Sequence, residues 1–402
     1  MSEQAVYSNA SAESARERAT FLHVVTVLSL SSVSILSLMY VVIPLIPVWA
    51  VRYESTTSAA VWTASAFSFA YAIGNLFWGT LSDRFSRLRI LTIGLFMLAV
   101  VTGLVGLSAS LGVLIALRGV EGFVAASFPA VALAYVGDVL APRYRAVAIS
   151  YISCGFLLAG VLGQLYASTV HELLGWRSVF AGLAAVCFVL AFCMTSLPKG
   201  AASLAAKGSL LQTYAQMFRL FRNGRLVIAW LVAVSILLSF VGMYSALAAF
   251  VAERFQGDSQ TLTWIRAAGI PSILLSVLAG RFIGRFGGKK VAIAGLLLAG
   301  AGLVLEGVAT TLPALVLSSA VFVLGIAVAV PAMIVLVGQL GRQARGSATA
   351  VYAFFIFVGA SLGPLLSARL IDYGANVVFF ALGGIVFLAA LVVWQAIRVE
   401  PA

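Results

Sequence analysis

Long apolar runs separated by short polar turns dominate the chain, and the runs show no two-residue alternation. After a polar opening stretch they predict helical spans near 22–50, 59–81, 90–108, 111–137, 146–170 and 178–197. A second set follows near 226–252, 261–283, 291–309, 313–338, 347–370 and 375–396. Each run approaches the roughly 20 residues that a helix needs to cross a bilayer's hydrocarbon. The absence of alternation excludes a closed β-barrel. Between the two sets, Lys199 to Arg225 is only modestly hydrophobic and carries Lys199, Lys207, Arg219, Arg222 and Arg225. It reads as a linker, with a short amphipathic helix around Leu211 to Phe221 lying on the membrane. The expected organisation is an all-α integral membrane protein: a tail over 1–21, a six-helix bundle over 22–198, the linker over 199–225, a second bundle over 226–397 and a tail over 398–402. In the first span Ser34, Ser37, Tyr40 and Pro44 form one polar stripe, and Pro44 with Pro47 is expected to kink or fray its end.

Composition agrees with the pattern. Hydrophobic residues make up 62% of the chain and charged residues 9%, far below the roughly one quarter charged residues of a soluble domain. The net charge of +12 falls on the turns. Arg16, Arg18, Arg84, Arg87, Arg89, Arg143, Arg145, the linker residues, Arg281, Arg285, Lys289, Lys290, Arg342, Arg345 and Arg398 share one side, whereas the other holds Arg52, Arg177, Arg254 and Arg369. The positive-inside rule makes the first side cytoplasmic, with both termini on it. Cys154, Cys187 and Cys193 lie in apolar runs without metal-like spacing and read as small buried hydrophobes. No Walker loop, zinc-ligand spacing, Ser/His/Asp set or haem motif occurs, and His23 and His171 lie at span ends. Neither enzymatic chemistry nor a cofactor or metal is expected.

Three clusters of charge carry candidate chemistry. The stretch Gly79-Thr80-Leu81-Ser82-Asp83-Arg84-Phe85-Ser86-Arg87-Leu88-Arg89 turns the chain around between the second and third spans. There Asp83 can accept backbone N–H groups at the next helix start, while Arg84, Arg87 and Arg89 meet phosphate or a partner acid. The stretch Gly280 to Lys290 lines up with it at a separation of about two hundred residues, and Arg345 and Gly363 stand at a similar remove from Arg145 and Gly163. Gly284 replaces the acid in the second copy. Such duplicated halves build a central site that opens alternately to each side. Inside the spans, charges cost about 2.5–3.5 kcal/mol each on insertion scales. Arg118 and Glu121, three residues apart, share a helical face. They are either a structural pair packing the fourth span on the first or a proton-coupling pair. Arg266 either snorkels to the outer surface or lines the cavity, where with Arg118 it would favour an anionic or zwitterionic solute. Glu306, near the outer end of the ninth span, reads as interfacial.

Gly79, Leu81, Asp83, Arg84 and Arg87 resemble the signature loop between helices 2 and 3 of the major facilitator superfamily, with Ser86 at the usual glycine and Leu88 at the usual second basic residue. Arg118-Gly119-Val120-Glu121-Gly122 resembles the family's helix 4 motif, with Glu121 at its glutamine position. Gly155, Gly160, Gly163 and Gln164 resemble weakly the helix 5 glycine–proline motif of antiporters, Gln164 replacing the proline; Gly359, Gly363 and Pro364 come closer to that pattern. Gly175-Trp176-Arg177 matches a common family turn before helix 6. The resemblance implies the major facilitator fold, twelve transmembrane helices in two pseudo-symmetric halves. Pro44, Pro47 and the Asp138 to Arg145 turn place it nearest the arabinose-efflux-like drug and metabolite efflux permeases.

The implied function is proton-coupled export of small organic molecules by alternating access across a bacterial inner membrane. The alternative is transport of organic anions or zwitterionic metabolites using Arg118, and a non-transporting sensor or scaffold is the reading from another class. The implied partners are a small-molecule substrate, protons and membrane lipids, with no nucleic acid, and the chain is expected to be a monomer. Proton coupling would rest on Glu121, Arg118 and Asp83. A conformational latch would comprise Gly79, Asp83, Arg84, Arg87, Asp138 and Arg145, with Asp138 meeting Arg87 when the cytoplasmic side is closed. The substrate cavity would be lined by Tyr40, Phe67, Tyr71, Arg118, Glu121, Gln164, Phe240, Tyr244, Arg266, Tyr352 and Phe355. The first span lacks the acid that many drug antiporters carry there.

Overall fold

The computed structural model describes residues 3–82, 85–200, 215, 217–275, 279–341 and 345–397. Helix α1 runs unbroken over Glu3–Tyr40, so the described part of the polar opening stretch is helical. Pro44 then forces a tight 3₁₀ turn over Ile43–Leu45, and Pro47 opens α2, Ile46–Arg52. The missing N–H and fixed φ of proline account for this kink. The short α3, Thr57–Ala60, leads into α4, Trp62–Ser82, followed by α5, Arg87–Gly106. The predicted fourth span is two helices, α6 over Leu111–Ala125 and α7 over Pro129–Val139, because Pro129 cannot continue the hydrogen-bond ladder. Helices α8, Pro142–Leu174, and α9, Trp176–Thr195, complete the first half.

The second half begins with α10, Gly224–Phe255. Its next span is broken into α11, Ser259–Ala267, α12, Gly269–Leu275, and α13, Ala279–Phe286, with a bend of 45° before α13. Then come α14, Gly288–Val308, α15, Leu312–Leu340, α16, Arg345–Leu370, and α17, Ala375–Ala396. Of the amphipathic helix expected around Leu211 to Phe221, residues 217–220 are helical, and 211–214 and 216 lie outside the described residues. Side-chain caps start several helices: Thr56, Ser110, Asn223, Asp258 and Thr311 each accept a backbone N–H of the first turn. The Asp258 carboxyl, accepting both the N–H and the hydroxyl of Thr261, is held below the usual carboxylate range.

Among the described residues, ten helical segments are long and apolar enough to cross a membrane, and the bent α11–α13 unit makes an eleventh. Helix α4 has the length, 21 residues, to take the twelfth place, although its Ser, Thr and Asn make it less apolar. The protein is a multi-pass, all-helical membrane protein. In the first half α1 packs on α8, α5 on α9 and α4 on α6; in the second, α10 packs on α16, α14 on α17, and α14 on α15. Close approach at these crossings depends on glycine. A Cβ on Gly122 of α6 would stand 2.1 Å from the Phe67 carbonyl oxygen of α4, and one on Gly359 of α16 would stand 2.0 Å from that of Val234 in α10. The halves meet where α4 lies along α16 and where α8 lies along α11 and α12.

Gly122→Ala and Gly359→Ala should therefore each lower the apparent melting temperature of the detergent-solubilised protein, at a cost of about 1–3 kcal/mol for overpacking. Gly384→Ala, where a Cβ meets no atom within 4 Å, should not lower it.

Candidate functional site

The first half is gathered around Arg118. Its side chain is 0% exposed, as is that of Glu121, with which it forms an ion pair. Arg118 Nη2 donates to the Leu38 carbonyl of α1 at 2.8 Å and Nε to the Thr63 carbonyl of α4 at 3.3 Å. The guanidinium carbon lies 4.3 Å above the ring of Phe67, an attraction of cation to π face. The other carboxylate oxygen of Glu121 accepts the Thr102 hydroxyl of α5 at 2.7 Å. Four helices thus end on one buried pair. Both charges are solvated by protein rather than by water, which a site in hydrocarbon demands.

Aromatic side chains continue from this hub to the seam between the halves. Phe67 stacks on Tyr71 with ring centroids 5.9 Å apart, and Tyr71 meets Phe357 of the second half at 4.3 Å. A second contact crosses the seam where Tyr40 of α1 is edge-on to Phe240 of α10 at 5.9 Å, and Phe240 touches Tyr244 and Phe322. The hydroxyls of Tyr71, Tyr244 and Tyr352 are buried and have no hydrogen-bond partner among the described residues, nor has the amide oxygen of Gln164, whose nitrogen donates to the Gly160 carbonyl at 2.6 Å. An apolar surface with a few unanswered polar atoms is the ordinary make-up of a small-molecule site. Phe355 is not part of this group: it stacks on Trp230 within the second half, 6.1 Å between centroids and 6° between planes.

Toward the face opposite the termini, the seam is closed by polar contacts. Ser65 donates to the Ser361 carbonyl at 2.8 Å, and Ser361 returns the bond to the Ser65 carbonyl at 3.0 Å. Arg266 Nη1 donates to the Ser168 hydroxyl at 3.0 Å. Arg266 is only 2% exposed, so it does not snorkel to the surface; its neighbour Trp264 takes the exposed face of α11 instead. Glu306 is likewise not interfacial, being 0% exposed, because α14 turns it toward α15 rather than toward lipid.

At the face that carries the termini, Arg87 pairs with Asp138 and also donates to the Ala134 carbonyl at 3.1 Å, and Arg145 donates to the Leu140 carbonyl at 2.9 Å. The Arg87–Asp138 pair is made within one half while the seam is closed at the opposite face. Asp83 and Arg84 lie outside the described residues, and Gly79 is part of α4. A further pair, Arg143 with Glu17, ties the early part of α1 to α8.

Sequence reasoning did not single out Thr102, Ser65, Ser168, Ser361, Phe322 or Phe357. Most hydroxyls in apolar helices bond to their own helix, as Ser31 does to Val27 and Ser235 to Val232. Those that reach another helix carry no distinguishing signal along the chain.

The family model described as Major Facilitator Superfamily matches residues 28–265 and 229–402. The multidrug resistance protein MdtG of Salmonella typhimurium is 25% identical over 375 residues, 89% of this chain and 91% of that protein. MdtG of Citrobacter koseri is 25% identical over 372 residues, 89% and 90%. Among solved structures, the human organic anion transporter MFSD10 superposes with a TM-score of 0.68 at 20% identity, covering 93% of this chain and 99% of that one. A bacterial homologue of the human lysosomal transporter Spinster, inward-facing and occupied, reaches 0.73 at 16% identity, covering 94% and 96%.

Arg118→Ala and Glu121→Ala should each cost about 3–5 kcal/mol, since either leaves a buried charge without its partner. Glu121→Gln, which keeps an acceptor in place, should lose less. Yield of monodisperse protein and apparent melting temperature are the readouts.

Proposed function

The chain belongs to the major facilitator superfamily, and from that premise we propose that this transporter exports small organic molecules of drug-like character in exchange for protons. The aromatic seam supports the substrate class: Tyr40, Phe67, Tyr71, Phe240 and Tyr244 offer ring faces, and Tyr71 and Tyr244 offer hydroxyls without a partner among the described residues, to a lipophilic or amphipathic solute. Similarity to proteins named for multidrug resistance points the same way.

The observation that carries the coupling is the sealed Arg118–Glu121 pair, one ring away from the seam through Phe67. A proton on Glu121 removes the countercharge of Arg118, and a solute that draws on Arg118 or displaces Phe67 leaves Glu121 easier to protonate. Solute and proton thereby compete through one guanidinium. Alternating access then exchanges the closure at Ser65, Ser361, Ser168 and Arg266 for closure at the other face, where Gly79, Asp83, Arg84, Arg87, Asp138 and Arg145 form the latch. The excess of basic residues at that face puts it, with both termini, in the cytoplasm of a bacterial cell, the chain lying in the inner membrane. The organic-anion reading is less favoured, because each nitrogen of Arg118 is already engaged and an anion must first displace Glu121.

In proteoliposomes, lipophilic cations should trigger proton movement in the wild type, tested beside organic anions and zwitterionic metabolites. Glu121→Gln should lose the proton signal while retaining solute binding. An unchanged signal in that variant removes Glu121 from the coupling, and silence of the wild type toward all three solute classes overturns the reading.

A further inference from the structure

Arg266 is a guanidinium sealed at the seam without an acid. It is buried, its Nη1 donates to the Ser168 hydroxyl of α8 at 3.0 Å, and its Nε has no partner among the described residues. Nor does any carboxylate among the described residues pair with it. A buried cation in that condition lacks the countercharge that apolar surroundings demand. Arg118, by contrast, has its carboxylate on its own helix.

Two further polar atoms without a partner belong to the same crossing of α8, α10 and the α11–α12 break. Three residues after Arg266 stands Gly269, where a Cβ would lie 3.5 Å from the Tyr244 hydroxyl of α10 and 3.6 Å from Val161 of α8. Arg266 and Gly269 thus face α8 one turn apart, against Ser168 and Val161 respectively. Gln164 lies between Val161 and Ser168 on the same strip of α8, at spacings of three and four residues. It is buried, its nitrogen is spent on the Gly160 carbonyl at 2.6 Å, and its oxygen accepts nothing among the described residues. The Tyr244 hydroxyl is likewise buried and without a partner there. Buried polar atoms are almost always bonded, so three open ones at one crossing call for a common explanation. The ring of Tyr244 also meets that of Phe240, 5.1 Å between centroids, which joins this crossing to the aromatic seam.

We propose that Arg266, Tyr244 and Gln164 form a subsite for the acidic end of a ring-bearing solute. The solute's carboxylate accepts from Arg266 Nε and the Tyr244 hydroxyl, a neighbouring N–H of the solute donates to the Gln164 oxygen, and its ring lies on the aromatic seam. This rests on the reading of that seam as the solute site and adds what the polar end of the solute is. The objection to an anion at Arg118 does not apply here, because no acid has to be displaced. The bond to Ser168 is kept as well, since Nε is the open donor. Hydrogen bonds from a guanidinium to a carboxylate are stronger than neutral ones, and stronger still away from water. Lipophilic solutes without an acid still meet the rings, so the subsite grades affinity among solutes rather than admitting a single class.

The test uses full-length protein in lipid nanodiscs and equilibrium dialysis of naphthoylglycine beside its neutral primary amide, with empty nanodiscs to subtract partition into lipid. The wild type should bind the acid about tenfold more tightly than the amide, the scale of one hydrogen bond to a charged group. Arg266→Gln should abolish that preference. Any change in seam closure acts on both probes alike, so the ratio of their affinities isolates the charge. Gln164→Glu, which sets a carboxylate of the protein's own in the subsite and leaves the Arg266–Ser168 bond in place, should abolish the preference too, and Tyr244→Phe should reduce it. Equal binding of acid and amide by the wild type, or a preference that survives in folded Arg266→Gln or Gln164→Glu, overturns the subsite and leaves the ring-lined site standing. Binding of neither probe overturns both.

Discussion

A guanidinium in a membrane interior has no water to solvate it, so its donors must be met by the protein. That requirement organises the first half of this transporter. Arg118 takes a carbonyl from α1, a carbonyl from α4 and a carboxylate from its own helix, and lies over Phe67, while Thr102 brings in α5 through Glu121. Losing any one of these contacts leaves buried charge or buried polar backbone exposed to a medium that cannot answer it. Helices that share such a hub have strong reason to move together.

The second half is held by other means. There α14 and α15 approach until backbone meets backbone: a Cβ on Gly325 would lie 2.3 Å from the Ala299 nitrogen, and one on Gly295 2.8 Å from that of Ala329. Close packing of small residues needs no charge, and among the described residues Glu306 and Arg266 have no ionic partner. One half is thus electrically closed upon itself and the other holds charge in reserve.

Between them the seam is built from weak contacts. The Ser65–Ser361 exchange is two neutral hydrogen bonds, each worth about 0.5–1.5 kcal/mol net, Arg266 adds one bond to the Ser168 hydroxyl, and ring edges and faces add the aromatic contacts. An interface made of a few such terms can part and reform, whereas the Arg118 hub cannot be opened cheaply. The difference in bond strength separates what stays rigid from what gives way.

Hydropathy along the chain is sufficient for the spans, since a helix crossing lipid must be apolar over its whole length whatever it touches. Pro44 and Pro47 announced the kink of the first span, and the three-residue spacing of Arg118 and Glu121 announced their pairing. Pro129 divides the fourth span into two helices, while 111–139 still counts as one span. What the sequence alone could not determine is the rotation of each helix about its axis. Lipid tails and protein interior are equally apolar, so the faces that meet them look alike in sequence. That is why Arg266 turned out to be buried at the seam and Glu306 enclosed behind α15, why Phe355 joined Trp230 while Phe322 and Phe357 joined the seam, and why only packed neighbours, each fixing the azimuth of the next, decide which polar atoms meet.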